Sequence, residues 1–328
     1  MTLVVGQSIT SGMKRRFFFA GIVGLGILGL SSCNKQVTIW QDEAKINVVA
    51  TSTMVTDLVQ VIGGDRVEVI GMMKAGVDPH SYEQTASDVA AMNTADVIFY
   101  SGLHLEGHVQ EGLKKRAAKG GDVYAVTKDM SQAELIQPEE EFESYADPHV
   151  WGDPELWTKT IDVVIEGLTK EAPEFSEEFN ARGEAYRAQL LELKAWSKAR
   201  IAEVPVEQRV LVTSHDAFFY FAKAYDFEVK GLQGLSTENT SGVKDVEDLI
   251  AFIKQRQLKT IFPESSVNKK GIETVAAKAG VGLSHEELFS DAMGEPGDVV
   301  ELHGESYDRG TYVGMQKHNI NTVVDGLK

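Results

Sequence analysis

EFSEEFNARGEAYRAQLLELKAWSKARIAE, residues 174–203, contains no proline and repeats large apolar side chains at Phe175, Phe179, Tyr186, Leu190 and Leu193. That spacing keeps them on one face of a 3.6-residue helix, so the stretch predicts a single helix roughly 45 Å long at ~1.5 Å rise per residue. A helix of that length runs alongside two bodies instead of looping between them. It is also stiff, which argues against a wide hinge built from flexible crossing strands.

On either side of this helix, short β-branched runs alternate with helical periods. Before it, Ile46–Ala50, Val67–Ile70, Asp96–Tyr100 and Asp122–Val126 read as strands, and Thr85 with Asp88 forms a capping box opening a helix between two of them. After it come Arg209–Thr213, Phe227–Val229 and Thr260–Phe262. In the same half Val243, Val246, Leu249, Ile250 and Ile253 form a helical stripe behind Ser241 as N-cap. Such alternation predicts an α/β fold with parallel sheets covered by helices. The expected division is 1–33 export segment, 34–173 first lobe, 174–205 linking helix and 206–328 second lobe.

The export segment follows from Lys14-Arg15-Arg16, the apolar run Phe17–Leu30 and then Ser31-Ser32-Cys33. A basic region, a short apolar region and small residues make a secretory signal too short to span a bilayer stably. The one cysteine of the chain, Cys33, sits where a bacterial lipobox places its acylated residue. Met13 is itself a good signal start, so the residues before it are dispensable. Without a second cysteine the exported domain has no internal disulfide and relies on its core. Net charge is −17 at pH 7, and it becomes −20 once Lys14, Arg15 and Arg16 are removed. That excludes nucleic acid as a natural partner and favours cations near the surface.

Ligand sites of open α/β sheets lie beyond the carboxyl ends of the strands. Four motifs fall there: Asp78-Pro79-His80, Asp147-Pro148-His149, Thr213-Ser214-His215-Asp216 and Ser290-Asp291-Ala292. Neutral imidazole and carboxylate hold Zn²⁺, Mn²⁺ or Fe²⁺, and His80, His149, His215 and Asp291 suffice for one mononuclear site. One such loop histidine is weak evidence. Two Asp-Pro-His triplets are stronger, because proline fixes the backbone beside the imidazole and extends the residue before it.

With these residues in order, the mature chain resembles the cluster A-I metal-binding receptors of ABC transporters, and among them the TroA-like branch. The likeness runs through residues 71–85, 147–154, 213–234, 261–266 and 288–319. It implies two α/β lobes joined by a rigid helix with the metal in the cleft, ligated by His80, His149, His215 and Asp291. His215 is the branch-deciding position, where many manganese-specific relatives carry glutamate. Gly152 and Gln84 depart from the family pattern without touching a ligand. The resemblance further implies a monomer, lipid-anchored at Cys33 on the periplasmic or extracellular side, that passes a divalent Zn, Mn or Fe ion to a permease and its ATPase. The histidine-rich loop of zinc-dedicated members is missing. Its counterpart, residues 137–143, is acidic and reads as a solvated charge run.

Glu264, after the Thr260–Phe262 strand, is placed to orient a ligand imidazole, with a salt bridge to a basic neighbour as the alternative. His104 and His108 have a helical pair spacing, but Gly102 and Gly107 weaken the helix. His285 lacks the second histidine of a zincin motif, while His303 and His318 read as surface and helix positions. The rival class is a secreted mononuclear zinc hydrolase. Catalytic zinc keeps a coordination position open for water, whereas Asp291 as a fourth protein ligand closes the shell. Ser214, His215 and Asp216 are consecutive and cannot converge as a hydrolytic relay.

Overall fold

The residues Ile46 to Ala50 form β1 and alternate across the first sheet: Ile46, Val48 and Ala50 join one core while Val49 faces another. A strand buried on both faces belongs inside a helix-covered parallel sheet. In the computed structural model, which describes residues 39–42, 44–137, 145–239 and 241–328, β1 is followed by α1 (Thr53–Gly63), β2 (Val67–Gly71), α2 (Ala86–Thr94), β3 (Val97–Tyr100), α3 (Gly107–Ala118) and β4 (Asp122–Ala125). The expected export segment with Cys33 and the acidic residues 138–143 lie outside the described residues. The four strands are parallel in the order β2-β1-β3-β4. The expected Thr85–Asp88 capping box opens α2, with the Asp88 carboxylate accepting the Thr85 N–H at 2.7 Å.

The short α4 (Pro154–Trp157) and α5 (Thr160–Glu171) lead into α6 (Ser176–Ile201), the long helix, preceded by a 3₁₀ turn at Pro173–Phe175. Its buried side chains Phe179, Tyr186, Leu190, Leu193 and Ile201 keep the predicted stripe. Glu177 and Glu178 stand in its first turn and Lys198 and Arg200 in its last, the arrangement that complements the helix dipole.

The second half runs β5 (Val210–His215), α7 (Phe219–Tyr225), β6 (Glu228–Gln233), α8 (Val243–Gln255), β7 (Thr260–Ile261), α9 (Lys270–Ala279) and β8 (Gly282–Leu283). An antiparallel hairpin β9 (Val299–Leu302) and β10 (Glu305–Asp308) and the final α10 (Tyr312–Leu327) complete it. Parallel pairs β5–β6 and β7–β8 are tied by the Phe262 N–H donating to Val212 O at 2.8 Å. Leu211 faces α7 and α10, and Val212 faces α8 and α9, so this sheet is also covered on both sides.

The N-cap of α8 is Gly242, whose N–H is held by Asp245 at 2.7 Å, and not the expected Ser241. Asp245 does from inside the first turn what a serine would do from the cap. Val243 stands exposed at the edge of the stripe, and Leu249 and Ile253 carry its buried part. The hydrophobic core on the α1–α6 side of the first sheet also takes in Tyr312 and Met315 of α10, so α10 and α6 bind both halves. Among the described residues no helix is long and apolar enough to cross a membrane.

Candidate metal centre

In each Asp-Pro-His triplet the aspartate folds its side chain back over the turn. Asp78 Oδ1 accepts the His80 N–H at 2.9 Å, and Asp147 Oδ1 accepts the His149 N–H at 2.9 Å. These are Asx turns, a local bond that competes with regular structure and fixes a loop. Asp147 Oδ1 also meets His149 Nδ1 at 2.7 Å, with both side chains fully buried. The aspartate of the triplet therefore fixes the loop alongside the proline, and in Asp147 it orients the imidazole as well.

His215 is the last residue of β5. Glu264, just past β7, holds it twice: Oε1 accepts the backbone N–H at 2.9 Å and Oε2 lies 2.5 Å from Nδ1. Of the two roles open to Glu264, orienting an imidazole is therefore the one it fills. The close approach of β6 to this strand depends on Gly231, where a Cβ would come within 2.5 Å of the His215 carbonyl carbon. Asp291 sits in the loop between β8 and β9. Trp151 Nε1–H donates to Ser290 O at 2.8 Å, and Asn319 on α10 brackets Phe289, accepting its N–H at 2.9 Å and donating to its carbonyl at 2.7 Å. Trp151 also lies edge-on to His149 at 5.3 Å, and neither it nor Asn319 carried a sequence signal of this role.

With Nδ1 of His149 and His215 each turned to a carboxylate, Nε2 faces inward. His80 Nε2 and His149 Nε2 lie 3.3 Å apart, His149 Nε2 and Asp291 Oδ1 3.3 Å, and His215 Nε2 and Asp291 Oδ2 3.1 Å. Donor atoms of all four residues fall within 4.8 Å of one another. Bonds of ~2.0–2.1 Å to a tetrahedral ion give edges of about 3.3 Å, so three edges already have the required length. Both Asp291 oxygens are buried without a hydrogen bond, because the nearby imidazoles are close but badly angled for one. The carboxylate's partners are the two imidazoles, and a cation at the common centre would take over from them the compensation of this buried charge.

The donor set is polarised. Burial opposes charge at every member, but Asp147 and Asp291 hold His149 up at about 9 despite it, and Asp291 and Glu264 hold His215 well above the ordinary imidazole value. The same two imidazoles keep Asp291 well below the usual carboxylate range against the effect of burial. For His80 burial wins, pushing it down to about 3.

The remaining histidines lie apart from this cluster. His104 precedes α3, stacks on Tyr145 at 4.0 Å and meets Gln110 at 3.1 Å, while His108 on α3 pairs with Glu238 at 2.6 Å, so the two do not form a ligand pair. His285 is exposed, and His303 pairs with Asp325 at 2.8 Å. His318 is a buried residue of α10 facing Glu287 O at 2.8 Å. Gly152 has a packing reason: a Cβ there would meet the Phe221 backbone nitrogen at 3.0 Å.

A family model described as zinc-uptake complex component A, periplasmic, matches residues 48–326. The zinc-binding protein TroA of Treponema pallidum is 43% identical over 291 residues, 87% of this chain and 90% of that protein. The manganese-binding lipoprotein MntA of Bacillus subtilis is 38% identical over 303 residues, 91% of this chain and 95% of that one. The solved structure of the periplasmic zinc-binding protein TroA from Treponema pallidum superposes with a TM-score of 0.80 at 42% identity, covering 86% of this chain and 99% of that one.

Proposed function

Because the chain belongs to the zinc-uptake complex component A periplasmic family, we propose that it captures one divalent transition metal ion with His80, His149, His215 and Asp291 and delivers it to an ABC permease for uptake. The observation that carries this reading is Asp291, a fully enclosed carboxylate with no hydrogen bond to either oxygen and three imidazoles around it. Three nitrogen donors with one carboxylate accept Zn²⁺, Mn²⁺ or Fe²⁺, and availability decides among them. Relatives of similar likeness named for zinc and for manganese leave that choice to the host's metal supply.

The chain acts as a receptor and not as a hydrolase. Four protein donors close the shell, and the two further carboxylates at the site, Asp147 and Glu264, are committed to imidazole Nδ1 atoms and are not poised over a water. Lobes at 34–173 and 206–328 grip the ion from opposite sides, with the helix within 174–205 as their shared spine. The receptor works as a monomer, anchored through lipid on Cys33 at the outer side of the membrane, and hands its ion to a permease driven by a cytoplasmic ATPase.

Elemental analysis of protein purified from its native host should find about one transition-metal ion per chain. Loss of an orienting residue typically costs 10–100-fold in metal affinity, so Asp291→Ala and His215→Ala, which remove donors outright, should each cost at least roughly 100-fold in titration calorimetry. Affinity unchanged in both variants would refute the site.

A further inference from the structure

The turn after β6 reaches across to the loop that carries His80. Thr237 Oγ1 donates to Asp78 Oδ2 at 2.6 Å, and Asp78 is the residue whose other oxygen holds the His80 N–H at 2.9 Å. One residue on, the Glu238 carboxylate meets His108 of α3 at 2.6 Å. The stem of this turn is equally well fixed. Gln233 is the register partner of His215, and its Nε2–H donates to Asn239 O at 2.9 Å, while Asp216 N–H donates to Gly234 O at 3.2 Å. The segment 234–239 is thus rooted beside one candidate ligand and hooked onto the support of another. His80 keeps 4% of its surface exposed, against 1% or less for His149, His215 and Asp291. Of the four, His80 is thus the one nearest solvent, and it stands in the loop that Thr237 fastens.

We propose that residues 236–239 form a latch that sets the rate of metal exchange, with the Thr237–Asp78 hydrogen bond as its catch. This rests on the reading of His80, His149, His215 and Asp291 as the ligands, and it assigns Thr237 a positioning role outside the donor set. Of the two cross-contacts, the His108–Glu238 pair is about half exposed, and solvent-exposed ion pairs add little. The hydroxyl–carboxylate bond is partly shielded and charge-assisted, so it is the one that matters. Freeing it lets the His80 loop open whether or not an ion is bound, which speeds entry and release together.

The test is stopped-flow release of Zn²⁺ from the loaded full-length protein into excess chelator, for wild type and for Thr237→Val, Thr237→Ser and Glu238→Gln. Thr237→Val should release Zn²⁺ roughly tenfold faster, the factor carried by one hydrogen bond to a charged group, with the equilibrium Kd moving much less. Thr237→Ser should restore the wild-type rate, and Glu238→Gln should stay within about twofold of it. Hydrogen–deuterium exchange on metal-free protein supplies a second readout, with faster exchange around residues 78–82 and 234–239 in Thr237→Val and none of it in Thr237→Ser. A Thr237→Val protein that matches wild type in both release and exchange overturns the latch while the site stands. A wild type that fails to bind Zn²⁺ overturns the site reading and the latch with it.

Discussion

Two of the four converging residues, His149 and His215, sit among carboxylates that favour their protonated form, so protons compete with the proposed ion for them. His149 is held at about 9 by the buried Asp147 and Asp291 carboxylates although burial works against its charge, and His215 is held well above its ordinary value by Asp291 and Glu264. An unperturbed imidazole near 6.5 would compete with metal only below about pH 6, so the surrounding carboxylates move proton competition upward. The buried carboxylates thus favour the protonated form of both imidazoles in the metal-free protein. Binding is therefore expected to release protons at pH 7.5, and affinity to fall as the pH is lowered. Titration calorimetry in buffers of different ionisation enthalpy measures the number released directly, and a value near zero at pH 7.5 would contradict this electrostatic picture. The carboxylates that make the site proton-sensitive are the same ones that aim its imidazoles.

At the scale of elements, α6 was legible because its stripe obeys one period and nothing interrupts it; the structure trims only its frayed ends. The strands β1, β3 and β5 were legible as short β-branched runs between helical periods, and the four converging residues because they stand at or beyond strand ends. The β9–β10 hairpin was not, since Val299, Leu302 and their neighbours are half exposed and carry no clear alternation. Nor was Asp57, a carboxylate inside the apolar face of α1 that makes sense only after folding. It accepts from Tyr186 Oη–H of α6 and from the Tyr312 N–H opening α10, each at 3.3 Å, and so joins three helices from distant parts of the chain. Burial pushes its pKa from 3.8 up to about 6, aided by Asp308 and opposed by the bonds from Tyr312 and Tyr186. A native pKa above the unfolded value means that the folded state binds the proton more tightly. Its contribution to stability is thus full below pH 3.8 and lost as the pH rises through about 6. Asp57→Asn should make the metal-free protein more stable than wild type at pH 7.5 by about 1–2 kcal/mol, with the two converging near pH 4, the full shift being discounted because the residue is only partly buried. Thermal melts at both pH values decide this; a variant less stable than wild type at pH 7.5 would show that the charged carboxylate is a net support for the three helices.

For the whole molecule, charge and anchoring point in opposite directions. A chain that carries −20 after loss of its basic export residues is repelled by anionic headgroups, so surface electrostatics cannot hold it at a membrane. On the proposed reading the attachment is hydrophobic; among the described residues no helix is long and apolar enough to cross a bilayer. The proposed lipid on Cys33 would answer both points. One acyl chain anchors only marginally and reversibly, whereas the several chains of a bacterial lipoprotein hold firmly. The donors lie in residues 80–291, more than forty positions beyond Cys33, in the part of the chain whose core closes without it. Cys33→Ala should therefore move the protein from the membrane pellet to the soluble extracytoplasmic fraction while leaving metal stoichiometry and affinity at wild-type values. High salt should leave the wild type in the pellet, because no ionic contact is being screened. Fractionation of cells expressing each form, followed by metal analysis of both fractions, separates the two claims: a mutant that still pellets after a salt wash places the anchor elsewhere, and a soluble mutant without metal ties the anchor to the site.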